Sequence, residues 1–367
     1  MKILLIASYE KPDYLNDMIS LQLLTDLDIT TDLTSYPHYL FNDLSSTIDI
    51  YGKGFTIYKK LSSDLNVSIV ELAHLTNLQI QAYDFIVYPS IRRFSNSFHR
   101  IAKLVNFSKI IAIDGEDDQL ISNKCTRCVY FKRELPYIAS CLGILPISFF
   151  VPSFCIDYIF RNYSCNLNKV YFLSPCDPRD VSTYVYNTEE SYYLQYAKSF
   201  FGFTQLKGGW DCLRHYEIIL AGCVPLFQKV ELMPNKVMQL YPKQLQLLAN
   251  QLYHSYKDKP IDFNFKFHYQ FIYNLFRNFL ISSSHSYGSW QLKGLFDNSF
   301  VTNKPLNRLV VNFLLPILNI YFSYSYHLQQ LTRHDAYHRK RHSLFTVFRL
   351  LYLSINDVLS RFVTKNL

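Results

Sequence analysis

Between Lys2 and Phe227 the chain repeats one pattern: a short unbroken apolar run that ends in a polar loop. Lys2-Ile-Leu-Leu-Ile-Ala7 is the first such run, and Tyr83-Asp-Phe-Ile-Val-Tyr-Pro89 is another. Lys109-Ile-Ile-Ala-Ile113 ends in the acidic loop Asp114 to Asp118, and Cys128-Val-Tyr-Phe131 ends in Lys132-Arg133-Glu134. A strand covered by helices on both faces has no polar side, so it reads as continuous rather than alternating. Helix-like stretches such as Asn96 to Val105 lie between the runs. This alternation predicts an α/β fold with a parallel sheet. Pro146, Pro152 and the polar run Arg161 to Asn168 interrupt it. The pattern then restarts with a strand over Lys169–Leu173, a helix over Glu189–Phe200 and a strand over Phe201–Leu206. A turn at Gly208-Gly209, a helix over Trp210–Ala221 and a strand over Cys223–Phe227 follow. The simplest division is two α/β halves, 1–150 and 151–300, and a third section, 301–367.

Composition narrows the classes. With 49% hydrophobic and 18% charged residues the chain can bury a core, which excludes wholesale disorder. Residues 301–367 hold nine Lys/Arg against two Asp, a net of +7, whereas 1–300 hold twenty-eight against twenty-seven, a net of +1. A nucleic-acid binder would be basic across its body, so no nucleic-acid partner is expected. Ser343 to Val363 places Leu344, Val347, Phe348, Leu351, Ile355, Leu359 and Phe362 at helical spacing. Arg339-Lys340-Arg341 and His334, His338 and His342 precede it. Such a basic amphipathic helix either packs on the body or lies peripherally on an anionic membrane. The run Ile3 to Ala7 is too short for the core of a signal peptide, and Pro316, Asn312 and Asn319 break the stretch Leu309 to Tyr324. A cytoplasmic protein is the resulting expectation. The eight cysteines include one C-x-x-C, Cys125 and Cys128, with no second pair at comparable spacing, so free thiols are expected and no metal site.

Chemistry concentrates in Lys207-Gly-Gly-Trp-Asp-Cys-Leu-Arg-His-Tyr-Glu-Ile-Ile-Leu-Ala-Gly-Cys-Val-Pro-Leu-Phe227. The glycines Gly208 and Gly209 let a ligand approach the backbone, and the helix after them offers free N–H groups to an anion. Lys207 adds a full charge. Trp210, Arg214, Glu217 and Ala221 fall on one helix face. A carboxylate at Glu217 can accept two hydrogen bonds from a vicinal diol, which ribose presents. Phosphate at the helix start and ribose beside Glu217 together describe a nucleoside diphosphate. An ordinary ion pair of Arg214 with Glu217 explains the local pattern equally well.

Glu217-Ile-Ile-Leu-Ala-Gly222-Cys-Val-Pro225-Leu-Phe resembles the donor-binding segment of GT-B glycosyltransferases, and Arg214-His-Tyr-Glu217 looks like its exostosin-like and CgeB-like bacterial branches. Tyr51-Gly-Lys-Gly-Phe55, Ile113-Asp-Gly-Glu-Asp-Asp118 and Tyr130-Phe-Lys-Arg-Glu-Leu135 are compatible with it. The resemblance spans roughly residues 1–280 and omits the tail. It implies two Rossmann-like halves facing a cleft, with the nucleotide-sugar on the second half and the acceptor on the first. It also implies glycosyl transfer to a hydroxyl of a lipid-linked or surface glycan, without a bound metal or other cofactor. Many retaining members carry an acidic residue eight positions before the ribose Glu. Here that position is Gly209, with Asp211 nearby but off the spacing, so the stereochemical outcome stays open.

The resemblance gives residues roles. Lys207, Arg214 and the N–H groups after Gly208 would stabilise the leaving diphosphate. Arg179, in the loop after Lys169–Leu173, and His215 would assist at the donor. Asp114 or Glu116, after a strand end, would be the base for the acceptor hydroxyl. A solvated acidic loop explains these carboxylates as readily, a charged turn explains Lys132 and Arg133, and a satisfied core histidine explains His215. Two competing readings are a catalytically inactive binding protein of the same fold and a basic-tail interaction protein. A dinucleotide-dependent oxidoreductase is disfavoured, because Ser8-Tyr-Glu-Lys-Pro12, not G-x-G-x-x-G, follows the first strand.

Overall fold

The computed structural model describes residues 1–42, 55–140, 142–163, 168–286 and 319. In the first half the elements run β1 (Lys2–Leu5), α1 (Tyr14–Thr25), β2 (Thr30–Leu33), β3 (Ser68–Ile69), α2 (Asn77–Gln81) and β4 (Phe85–Tyr88). They continue α3 (Phe98–Leu104), β5 (Ile110–Asp114), β6 (Val129–Lys132), α4 (Tyr137–Ser140) and β7 (Leu145–Pro146). All seven strands pair in parallel, in the order β3-β2-β1-β4-β5-β6-β7. The chain winds outward from β1 to β3 and then returns to lay β4 on the other side of β1. That reversal is the topological switch point of a doubly wound sheet.

The apolar runs are unbroken because both sheet faces are covered. Leu4, Ile86, Tyr88, Ile110, Ala112 and Tyr130 pack on one side with Ile80, Ile101 and Leu142. Ile3, Leu5, Val87, Ile111, Ile113 and Phe131 face the other side, over Leu15, Met18 and Ile19. This second cluster continues through Ile147 and Phe149 into the second half, so one apolar core joins the two.

The second half comprises α5 (Ser153–Tyr163), β8 (Tyr171–Leu173), α6 (Glu189–Ala197), β9 (Ser199–Thr204), α7 (Leu213–Leu220), β10 (Val224–Phe227), α8 (Lys243–Tyr256) and α9 (Phe263–Ser286). Its three strands are parallel and lie in the order β10-β9-β8. The expectation of an α/β fold built on parallel sheets therefore holds. The second sheet is smaller than the first, however, and shows no order reversal among the described residues.

β9 is fully buried along its length, and Gly202 sits where α6 and α7 press closest. A Cβ there would stand 3.0 Å from Ile218 Cγ2 and 3.0 Å from the Tyr196 ring. Both neighbours are fully buried and have little room to yield. Gly202→Val is therefore expected to destabilise by about 1–3 kcal/mol through overpacking. Urea denaturation, read as a lower midpoint at unchanged slope, checks this.

Within the section 301–367, Asn319 is described. Its side-chain amide clamps the backbone of Ile121: Ile121 N–H donates to Asn319 Oδ1 (3.0 Å) and Asn319 Nδ2 donates to Ile121 O (2.9 Å). The section thus touches the first half at that point. Ser343–Val363 and Tyr51–Gly54 lie outside the described residues.

Candidate functional site

The sites assigned from sequence fall at or after the carboxyl ends of strands, with Arg214, His215 and Glu217 on α7. β5 delivers the acidic loop, β6 delivers Lys132, Arg133 and Glu134, and β9 delivers the segment 205–212 that leads into α7. The structure brings Asp117 and Glu134 against Gly208 and Gly209. A Cβ on either glycine would collide with these carboxylates. The close approach that the Gly-Gly pair permits is thus used by the first half of the chain itself, and carboxylates line the turn.

The acidic loop is neutralised residue by residue. Lys132 Nζ donates to Asp114 Oδ1 (2.9 Å), and Arg92 grips Asp118 through two nitrogens (2.5 and 2.9 Å). Arg93 binds Glu116 (2.5 Å), and Arg133 binds Asp117. Asp114 also accepts from Tyr130 OH (2.8 Å) and the Glu116 N–H (3.2 Å), and it is 1% exposed. Burial alone would raise the Glu116 carboxyl, but the Arg93 hydrogen bond and the charges of Arg92 and Lys132 hold it below the usual range. A buried, fully bonded carboxylate and an ion-paired one of lowered basicity are both poor general bases. The arrangement gives Asp114 and Glu116 a structural explanation: they organise the strand ends.

Arg133 and Glu134 join the halves. Arg133, completely buried, donates to Gly115 O (2.9 Å) and Asp211 O (2.5 Å), and its guanidinium stacks on Phe149 with 4.7 Å to the ring centroid. Glu134 accepts the Asp211 N–H (3.1 Å). The Asp211 carboxylate accepts the Phe149 N–H (2.5 Å) and Tyr216 OH (3.1 Å). Three carboxylates, Asp117, Glu134 and Asp211, therefore surround one guanidinium. Burial pushes the Asp211 carboxyl up to about 7, against the partial relief of Arg133 and the Phe149 N–H.

The sign of the resulting pH dependence follows. An acid whose folded pKa is raised contributes stability below its unfolded pKa of about 3.9 and loses it as pH climbs through the folded value near 7. His215 opposes this, because burial lowers it to about 3 and its contribution fades below about 6.5. A difference measurement isolates Asp211. Asp211→Asn is expected to raise the melting temperature at pH 8, where it removes a buried charge. The gain should shrink toward pH 5, where the native side chain holds a proton. An increment independent of pH over that span contradicts the assignment.

On the second half, α7 carries Arg214, His215 and Glu217. His215 is fully buried and bonded at both ring nitrogens, to Thr204 Oγ1 (2.9 Å) and Trp210 O (2.9 Å). Because a carbonyl only accepts, Nε2 carries the proton and Nδ1 accepts from Thr204. Its face stacks on Phe227 at 4.1 Å between centroids. It acts as a core spacer rather than a ligand donor. Arg179 folds back on Asp177 (2.5 to 3.0 Å) and stacks on the Phe203 ring (4.0 Å).

Glu217 is held from both sides. Thr56 Oγ1 of the first half donates to Oε1 (2.6 Å), and Tyr192 OH donates to Oε2 (2.6 Å). Tyr193 OH completes the set, 2.7 Å from Thr56 Oγ1. Burial raises the carboxyl, and the two hydroxyl donors and Arg214 offset part of that. Thr56 is a β-branched residue at φ 30, a conformation that costs roughly 1–3 kcal/mol. This contact, invisible in the sequence, occupies the carboxylate oxygens expected to meet a ribose diol.

Arg214 is an unsatisfied group, as are Tyr184 OH, Tyr196 OH and Trp210 Nε1 among the described residues. Arg214 is 8% exposed, and its Nε and Nη1 have no hydrogen-bond partner among the described residues. No carboxylate pairs with it at ion-pair distance there. The Tyr184 ring lies beside both Arg214 and a second cation, with Arg214 Cζ at 5.1 Å and Lys207 Nζ at 5.5 Å from the centroid. Burial and the Arg214 charge both push the Lys207 ammonium down. Arg214 stands in the first turn of α7, with Cys212 at the cap position and no side-chain cap. Two cations, an aromatic ring and a helix end without a side-chain cap lie together here, with the charges of Glu217 and Asp177 within reach of Arg214.

Among the described residues no group of three or more His, Cys, Asp and Glu side chains is placed to hold a metal ion, and no helix is long and apolar enough to cross a membrane. Cys125, Cys128, Cys155, Cys176, Cys212 and Cys223 are free thiols. No protein-family model matches the chain, and neither a curated protein nor a solved structure matches it.

Proposed function

We propose that the protein is a glycosyltransferase of GT-B type that moves a sugar from a nucleotide-sugar to a hydroxyl of a glycan or glycolipid acceptor. The observation that carries this reading is Arg214: a buried guanidinium with two nitrogens unpartnered among the described residues, beside Lys207 and in the first turn of α7, which lacks a side-chain cap. A diphosphate supplies the missing acceptors. It is also the group on which charge grows as a glycosidic bond to a nucleotide breaks, so fixed cations aimed at it lower the barrier. Glu217, 9% exposed on the same helix, would hold the ribose once Thr56 and Tyr192 give way.

Incubation with a panel of nucleotide-sugars, scored for release of free nucleoside diphosphate, tests the assignment. One donor is expected to turn over, and Lys207→Ala to slow that release by about 10²-fold or more, the loss typical of one transition-state donor. Nucleotide binding without turnover for any donor would favour the inactive binding protein instead.

A further inference from the structure

α9 has two apolar faces. Phe265, Tyr269, Ile272, Phe276 and Leu280 are buried against the second half. On the opposite side Phe263, Phe267, Phe271 and Leu275 are 81%, 64%, 58% and 40% exposed. Their spacing of four residues sets them in one ridge roughly 18 Å long. A ridge of three outward phenylalanines has no role in folding the helix, whose other face already anchors it. Contiguous exposed apolar surface of this kind marks an interaction site.

The charges around the ridge identify the partner. Phe263–Ser286 contains no Asp or Glu, while Lys266 and Arg277 lie on it; the preceding turn is neutral, with Lys257 and Lys259 against Asp258 and Asp262. Asn264, His268, Gln270 and Asn274 complete a polar border. Residues 301–367, which follow α9 in the chain, add a net +7. A second copy would set like charges against each other, and so would the basic section 301–367 of the same chain. An anionic bilayer surface matches both properties: phenyl rings enter the headgroup boundary, and the lysines and arginines meet lipid phosphates.

We propose that α9 is a membrane-surface helix, seated on anionic lipid through Phe263, Phe267 and Phe271 with Lys266 at the headgroups. This goes beyond the glycosyl-transfer reading and does not depend on it, because nucleotide response and lipid binding are measured separately.

Co-sedimentation of the full chain with lipid vesicles is the test. One set is phosphatidylcholine alone, and the other contains about a quarter phosphatidylglycerol. The wild type is expected to pellet with the anionic set and to remain largely in the supernatant with the neutral one. The triple variant Phe263→Asn, Phe267→Asn, Phe271→Asn changes only exposed side chains, so it should keep its melting temperature. Its partition onto anionic vesicles is expected to fall roughly tenfold or more. Lys266→Glu should weaken binding to anionic vesicles, and Leu232→Asn, at an exposed residue outside α9, should leave it unchanged. Three results would overturn the proposal. The wild type could fail to bind anionic vesicles. The triple variant could bind as the wild type does, which places lipid binding in 301–367 alone. Finally, a wild-type dimer that the triple variant dissociates, without lipid binding, assigns the ridge to a second copy.

Discussion

Arg133→Met is expected to lower stability by about 3–5 kcal/mol, the largest effect of any single substitution considered. Among the described residues the guanidinium is the sole cation bonded to Asp117 and Glu134, and it holds the Asp211 carbonyl across the boundary between the halves. Without it, the buried Glu134 and Asp211 carboxylates face one another, with the exposed Asp117 at their edge. Met conserves the apolar stem and its packing on Phe149, so the loss reports charge rather than volume. Differential scanning calorimetry gives the magnitude, and limited proteolysis around 147–152 reports whether the halves have parted. A loss under about 1 kcal/mol would mean that solvent already screens this cluster, and the description of it as buried would fail. Glu134→Gln should be far milder, because it removes one of the competing acids and keeps an oxygen for the Asp211 N–H.

The second large effect has two opposite signs in one variant. Arg214→Met removes a buried cation whose Nε and Nη1 have no hydrogen-bond partner among the described residues. Leaving such donors unsatisfied costs about 1–3 kcal/mol, so the ligand-free variant is expected to be more stable than the wild type. The same variant should lose nucleotide binding, because the site's most buried positive charge is gone. A site selected for a ligand keeps groups that destabilise the empty fold, whereas a merely structural arginine would show the reverse sign. Melting temperatures with and without nucleoside diphosphate, on both proteins, separate the two. A variant that is less stable and still responds to nucleotide contradicts the role given to Arg214.

The sequence carries the fold wherever a strand is buried on both faces. β1, β4, β5, β6, β9 and β10 are runs of Ile, Leu, Val, Phe and Tyr, and each is found within two residues of its expected place. β2 is not legible, because its Thr31 and Asp32 are polar and buried. Asp32 is tolerated there by Tyr83 OH (2.7 Å) and the Lys2 ammonium (3.2 Å), partners from distant positions in the chain. β3 is a two-residue exposed strand with no pattern to read. α9 escaped notice because its apolar residues lie on both faces, which erases the amphipathic period.

The site divides in the same way. The clustering of Lys207, Arg214 and Glu217 follows from helix spacing and a turn, both local. The partners that decide their chemistry are not local: Thr56 lies 161 residues from Glu217, and Arg133 lies 78 from Asp211. Four carboxylates in the loop 114–118 suggested a base, yet Arg92 and Arg93 reach it from the end of β4 and Lys132 and Arg133 from β6. Sequence spacing gives no hint of that pairing. His215 stands beside Arg214 in the chain but points into the core, toward Thr204 and Phe227.

The central claim is that Lys207, Arg214 and the start of α7 bind the diphosphate of a nucleotide. Its most direct test is calorimetric titration of the full chain with UDP, GDP, CMP, dTDP and ADP, followed by the best of these in competition with inorganic pyrophosphate. One diphosphate nucleotide is expected to bind at one site per chain, and pyrophosphate to displace it, because both present the same charges to the same cations. CMP, which lacks the second phosphate, should bind weakly or not at all. If none of the nucleotides binds the folded protein, or if binding is indifferent to pyrophosphate, Arg214 and Lys207 do not form a diphosphate site and the glycosyl-transfer reading fails with it.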